Sequence, residues 1–108
     1  MALYDISELE QMAQGNTEFI AKMINVFLET TSESLVQLLD AFETRDLQTV
    51  SALAHKIKPS IDLMGISSLH EVVRDIEAKA KSGDEINVLV QKLQEDLKIV
   101  FKEIKTEL

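Results

Sequence analysis

The amino-acid sequence predicts an all-α fold, an antiparallel up-down-up-down four-helix bundle with a short N-terminal helix capping it, and two observations carry that prediction. Apolar residues recur at spacings of three and four along nearly the whole chain, and nowhere do they alternate with polar residues in the period-two pattern of a strand. The interruptions are few and well separated: three glycines, one proline, and the Asn, Ser and Asp residues that can start helices. With 108 residues, 45% hydrophobic and 28% charged, the chain can bury one core, and residues 1–108 read as a single domain.

The first helix, Ser7 to Gln14, has two possible starts. Asp5 with Glu8, or Ser7 with Glu10, has the spacing at which a cap and the residue three further on satisfy each other's backbone N–H groups, and spacing does not choose between them. Gly15 stops this helix and Asn16 caps the second, Thr17 to Thr44, whose stripe Ile20, Met23, Phe27, Leu35, Leu38, Phe42 is regular apart from the step from Phe27 to Leu35. Asp46 opens the third, Leu47 to Met64, with Leu47, Val50, Ala54, Ile57, Ile61 and Met64 on one face. Gly65 ends it, Ser67 or Ser68 is placed to cap the fourth, and that helix uses Leu69, Val73, Ile76 and Ala80 before Gly83. Asp84 introduces the fifth, Glu85 to Glu107, striped with Ile86, Leu89, Leu93, Leu97, Val100 and Ile104. None of these amphipathic helices is stable alone, so the four longer ones must bury their stripes against one another, and short connections make neighbours antiparallel.

The composition removes several classes of function. Eleven Lys and Arg against 19 Asp and Glu give a net charge of −8, which opposes nucleic acid or an anionic membrane surface as the partner. Without cysteine there is no disulfide, no thiolate nucleophile and no thiolate metal site, so metal chemistry would fall to carboxylates and two histidines. No apolar run approaches the ~18 residues of a membrane span. The segment from Met1 to Asp5 lacks the basic flank and apolar stretch of a signal peptide, so a cytoplasmic location is expected.

Pro59 is the anomaly. Inside a helix it removes a backbone hydrogen bond and its ring presses on the carbonyl four residues back, at a cost on the order of 3 kcal/mol. That carbonyl belongs to His55, so the third helix is expected to be kinked or loosened beside one of the two histidines. At about 100° per residue His55 points roughly 130° from the buried stripe, toward solvent. Lys58 falls at the edge of the core, and Glu77, His70 and Arg74 of the fourth helix fall to one side of its stripe, where a carboxylate could reach the His55 ring.

The run Ala54-His55-Lys56-Ile57-Lys58-Pro59-Ser60, followed by Gly65, Leu69 and the pair Ile76-Glu77, resembles the histidine-containing phosphotransfer (HPt) domain. The family pattern is A-H-x-(L/I)-K-G-S, a glycine ten residues after the histidine, and a helix ending in a Leu/Ile-Glu pair. The resemblance covers essentially the whole chain, since the family also has a short first helix, a long second one and a four-helix bundle of this size. Pro59 departs from it, standing where most members have glycine, at a position the family implies to lie close to the incoming aspartate.

The resemblance implies a phosphorelay carrier. His55 would be the phosphoacceptor, taking a phosphoryl group from a receiver-domain aspartate, or from a kinase, and passing it to another response-regulator receiver. With an unperturbed pKa of about 6.5, imidazole keeps a lone pair for that attack near neutral pH. Glu77 matches the position of a carboxylate that would hold the other ring N–H and fix the tautomer. Lys58 matches the family lysine that offsets phosphoryl charge, with Lys56 a second candidate. The implied partners are receiver domains and a hybrid sensor histidine kinase. Mg²⁺ is expected on the receiver and no cofactor on this chain, which would be a monomer with no kinase or hydrolase activity of its own. Docking needs apolar surface near the histidine, for which Ile6, Leu9, Met12 and Met64 are candidates, with Pro59 and Asp62 beside it.

Two other readings compete. A helical adaptor that binds a receiver-like or helical partner without phosphorylation would tolerate replacement of His55. A hydrolytic or metal-dependent enzyme would use His55 with Asp62, or His70 with Glu71 and Glu77. It ranks last because no H-E-x-x-H, Gly-rich phosphate loop or nucleophile elbow is present. His70, with no family role falling on it, reads as a surface histidine.

Overall fold

The computed structural model describes residues 2–107; Met1, the first residue of the segment read for a leader, lies outside them. Of the described residues 83% are helical and none forms a strand, as the apolar spacing predicts. The helices are α1 (Ser7–Ala13), α2 (Thr17–Glu43), α3 (Leu47–Leu63), α4 (His70–Ser82) and α5 (Asn87–Glu107), with a single 3-10 turn over Ser67–Leu69 before α4. At about 1.5 Å per residue α2 spans about 40 Å, close to the 44 Å long axis of the molecule. α2 packs on α3, α3 on α4, α4 on α5 and α5 back on α2, closing a ring whose α3–α4 contact is the most extensive. The connections between these helices are short, so successive helices run antiparallel.

Two of the expected caps form. Asn16 accepts from the Phe19 N–H at 3.0 Å, and Asp46 accepts from the Thr49 N–H at 3.3 Å and its hydroxyl at 2.7 Å. Three starts differ from expectation. Before α1, Asp5 accepts the Ser7 N–H at 2.9 Å, closing a turn two residues on rather than three, so neither capping box forms. Neither Ser67 nor Ser68 caps α4; both enter the 3-10 turn, and the Ser68 hydroxyl donates to Asp96 of α5 at 2.8 Å. Asp96 is buried and also accepts from Lys92 at 2.9 Å, which satisfies a carboxylate that would otherwise be costly inside the bundle. α5 begins after Ile86, whose carbonyl accepts from Val90 at 2.9 Å, while Glu85 holds the Asn87 N–H at 2.9 Å. Asp84 instead closes α4, its N–H donating to the Lys79 carbonyl at 2.9 Å.

The core joins all the helices. Thr31 and Ser34 fill the irregular step of the α2 stripe and are buried between Phe27 and Leu35, whereas Ile20, Met23 and Phe42 sit at its edge. On α5, Val90 is buried where the stripe pointed to Leu89. Phe27 meets Phe101 with ring centroids 5.8 Å apart and planes at 57°, a tilted pair of the favourable kind.

α3 continues unbroken through Pro59 to Leu63. The proline lies on the exposed face, where water can meet the carbonyl its missing N–H leaves free, so the helix is not ended there. α2 ends without glycine, at Arg45 with φ +61°, whose guanidinium stacks 4.6 Å from the Phe42 ring. Gly65 matters more. Its φ is +61°, and a Cβ there would stand 2.3 Å from the Asp5 carbonyl oxygen. Glycine thus lets the N-terminal arm lie against the α3–α4 junction, held by the Asp5 N–H donating to the Met64 carbonyl at 2.9 Å.

Candidate functional site

The α3–α4 seam carries the site. Small residues, Ser51 and Ala54 on α3 and Ala80 on α4, are buried there, and the Ser51 hydroxyl donates to the Glu77 backbone carbonyl at 2.8 Å. One turn further along α3, His55 Nδ1 lies 2.8 Å from Glu77 Oε2, and Lys58 Nζ donates to the other carboxylate oxygen, also at 2.8 Å. The Lys58 ammonium holds the Glu77 carboxyl below the usual carboxylate range, His55 adds to this, and burial works against both. An ionised carboxylate only accepts, so Nδ1 carries the ring proton and Nε2 keeps its lone pair. The His55 side chain is 68% exposed. Beside it lies a concavity of about 450 Å³ lined by Gln48, Ser51, Ala52, Glu77 and Lys81. The arrangement is a nucleophilic ring nitrogen on an open face with its tautomer fixed from behind.

The second histidine is placed differently. Asp62 accepts from Arg74 Nη1 at 3.2 Å and Nη2 at 2.6 Å, and its Oδ1 lies 3.0 Å from His70 Nδ1. The Arg74 guanidinium holds the Asp62 carboxyl below its ordinary value. Yet the same His70 Nδ1 is 3.1 Å from Arg74 Nη1, which can only donate. His70 Nδ1 thus has both an acceptor and a donor within reach, and its Nε2 lies 3.7 Å from Glu71 Oε1, whereas the contact of His55 Nδ1 is with a carboxylate alone.

The remaining candidates divide. Pro59 and Lys56 are exposed next to His55, and Lys56 makes no ion pair among the described residues. Asp62, expected to face a partner, is half-buried and tied to Arg74 and His70. Leu9 and Met64 are corrections to the docking patch: they are 0% and 1% exposed. A seven-residue helix stays folded only by burying its apolar side, and Leu9 supplies it; Met64 packs in the core at the end of α3. Ile6 is half-buried, and Met12, 56% exposed, is the one member fully open to solvent. The residue sets of the metal-dependent reading are split, since Glu77 belongs to His55 and Asp62 to His70. Ser51 and Lys81 escaped sequence reasoning as site residues, although each sits four residues from a candidate, His55 and Glu77, on the same helix.

The sequence pattern of the family described as Hpt domain matches residues 22–104. The chain belongs to the Hpt domain family. The match takes in α3, α4 and both partners of the imidazole hydrogen bond, and begins after α1. This Hpt domain is 27% identical over 101 residues to the phosphorelay intermediate protein rdeA of Dictyostelium discoideum; the alignment covers 92% of the chain and 40% of that protein. The chain thus spans less than half the length of this relative. No solved structure matches it. Among the described residues no helix is long and apolar enough to cross a membrane, and no three of His, Asp and Glu are placed to hold a metal ion together.

Proposed function

We propose that the protein carries phosphoryl groups in a phosphorelay, as a monomer in the cytoplasm, with His55 as the acceptor. The observation that carries this reading is the 2.8 Å contact of Nδ1 with Glu77 on a ring otherwise open to solvent. Nε2 attacks the phosphorus of a receiver's aspartyl phosphate. The N–P bond forms, the P–O bond to the aspartate breaks, and its electron pair leaves with the aspartate carboxylate. The Nδ1 proton stays on the ring, where the developing imidazolium charge faces Glu77. Transfer onward reverses these steps on a second receiver.

Lys58 and Glu77 form a matched pair in the free protein, so the carboxylate behind the ring adds no net repulsion to the incoming dianionic group. Lys58, and Lys56 on the neighbouring exposed face, are the cations proposed to offset phosphoryl charge. The receiver supplies its own Mg²⁺ and aspartate, which leaves this chain to present and orient the imidazole. Pro59, Met12 and Ile6 are the surface we assign to docking. A receiver domain, alone or within a hybrid kinase, is the partner this chemistry fits, and the name of the Dictyostelium relative points the same way.

The test is incubation with a phosphorylated receiver and Mg²⁺, wild type beside His55→Gln, scoring acid-labile, base-stable phosphate on this chain. Label on the wild type alone supports the carrier. Receivers that bind without labelling it would replace the carrier by a helical adaptor.

A further inference from the structure

We propose that Ser51 is a positioning residue for the phosphoacceptor, setting α4 against α3 so that the Glu77 carboxylate meets His55 Nδ1; the inference rests on the reading of His55 given above. A buried serine in a helix–helix seam needs a partner for its hydroxyl, and this one, 4% exposed, has chosen a specific one. Its hydroxyl donates at 2.8 Å to the backbone carbonyl of Glu77, the very residue whose side chain reaches the imidazole. That carbonyl lies in the interior of α4, where the helix's own N–H groups already serve it, so helix formation does not require the serine. The extra bond instead joins two helices at one level.

Ser51 and His55 are one turn apart on α3 and stand on the same side of it. Glu77 is therefore held twice from α3: by its backbone to Ser51, and by its carboxylate to His55 and Lys58. The contacts of the Glu77 carboxylate depend on the several torsions of a long side chain; the Ser51 contact fixes the Glu77 backbone itself and depends only on the short serine side chain. Loss of the hydroxyl frees α4 to shift relative to α3, and a shift of a few tenths of an ångström in the carbonyl is magnified at the end of a glutamate side chain. The tautomer of His55 then becomes a mixture, and the fraction with a free Nε2 lone pair falls.

Ser51→Ala is close to isosteric and keeps the helix, so circular dichroism should show a folded protein. The informative signal is the pair of ¹⁵N resonances of the His55 ring. In the wild type they should be widely separated, as expected of one protonated and one bare nitrogen; in Ser51→Ala they should move together, with phosphoryl uptake slowed by about threefold to tenfold. In a Glu77→Ala background, which keeps the backbone carbonyl but removes the side-chain acceptor, adding Ser51→Ala should change neither readout further. Ser34→Ala, a buried serine on α2 outside the site, should leave the ring spectrum unchanged. Unchanged ring resonances in Ser51→Ala, or an equal effect in the Glu77→Ala background, would overturn the assignment. Should the wild type take no phosphate from any receiver, the carrier reading fails, while the ring spectrum still decides the role of Ser51.

Discussion

Replacing Gly65 by alanine tests how the N-terminal arm is joined to the end of α3. Two costs follow from its geometry. A residue with a Cβ at φ +61° costs roughly 1–2 kcal/mol in the left-handed region. The new Cβ would also stand 2.3 Å from the Asp5 carbonyl oxygen and 2.9 Å from the Asp5 Cβ. The close oxygen is backbone and cannot rotate away, so the arm must move. Its bond from the Asp5 N–H to the Met64 carbonyl is then lost, at about 1 kcal/mol, together with some packing of Leu3, Tyr4 and Ile6 against the core. The total is about 2–4 kcal/mol, a fall of about 10–20 °C in Tm for a domain of this size. Gly83→Ala is the control: its φ is +77° and nothing lies within 4 Å of the added Cβ, so only the backbone cost applies. Thermal unfolding followed at 222 nm should rank Gly65→Ala well below Gly83→Ala. Equal losses in the two variants would refute the close approach of the arm.

Three further outcomes are expected. Pro59→Ala restores an N–H to an exposed position inside α3 and should stabilise the protein by about 1–2 kcal/mol, raising Tm; an unchanged or lower Tm would show that the proline carries no helix penalty. The Glu77 and Asp62 carboxyls are held below their ordinary values of 4.5 and 3.8, by Lys58 and Arg74 foremost. In the interval below those values the unfolded chain binds more protons than the folded one, so stability is full above the ordinary values and is lost as pH falls through the folded ones. Urea unfolding between pH 6 and 3 should show that loss, with a shallower slope in Glu77→Gln; an identical slope would remove Glu77 from the account. Glu77→Gln should also slow phosphoryl uptake by about tenfold with little change in receiver binding, measured by label transfer and titration side by side, and a wild-type rate would count against the carboxylate's role.

Much of the site was legible because the chemistry sits on a regular helix. Once Val50, Ala54, Ile57 and Ile61 define the buried face of α3, the wheel places His55 in solvent and Lys58 at the margin, and the same exercise on α4 brings Glu77 to the flank. What the wheel cannot show is which of two exposed-looking apolar residues another element covers. Met64 and Leu9 read as docking surface and are buried: Met64 packs in the core where Asp5, far away in sequence, bonds its carbonyl, and Leu9 is the apolar side that α1 buries to stay folded. Helix starts failed for a related reason. Ser67, Ser68 and Asp84 have the right chemistry for caps, but Ser68 is drawn to the buried Asp96 on α5, and Asp84 closes the previous helix. Tertiary demand outranked local preference there. Ser51, one turn before His55 on the same side of α3, reads as solvent-facing surface until the partner helix is in place and buries it.

In the proposed transfer, Glu77 keeps the proton on His55 Nδ1 so that Nε2 takes the phosphoryl group. Its most direct test is two-dimensional ³¹P–¹⁵N correlation on the phosphorylated protein labelled in histidine. Phosphorus should couple to Nε2 of His55, with Nδ1 still protonated. Coupling to Nδ1, or to either nitrogen of His70, would contradict it.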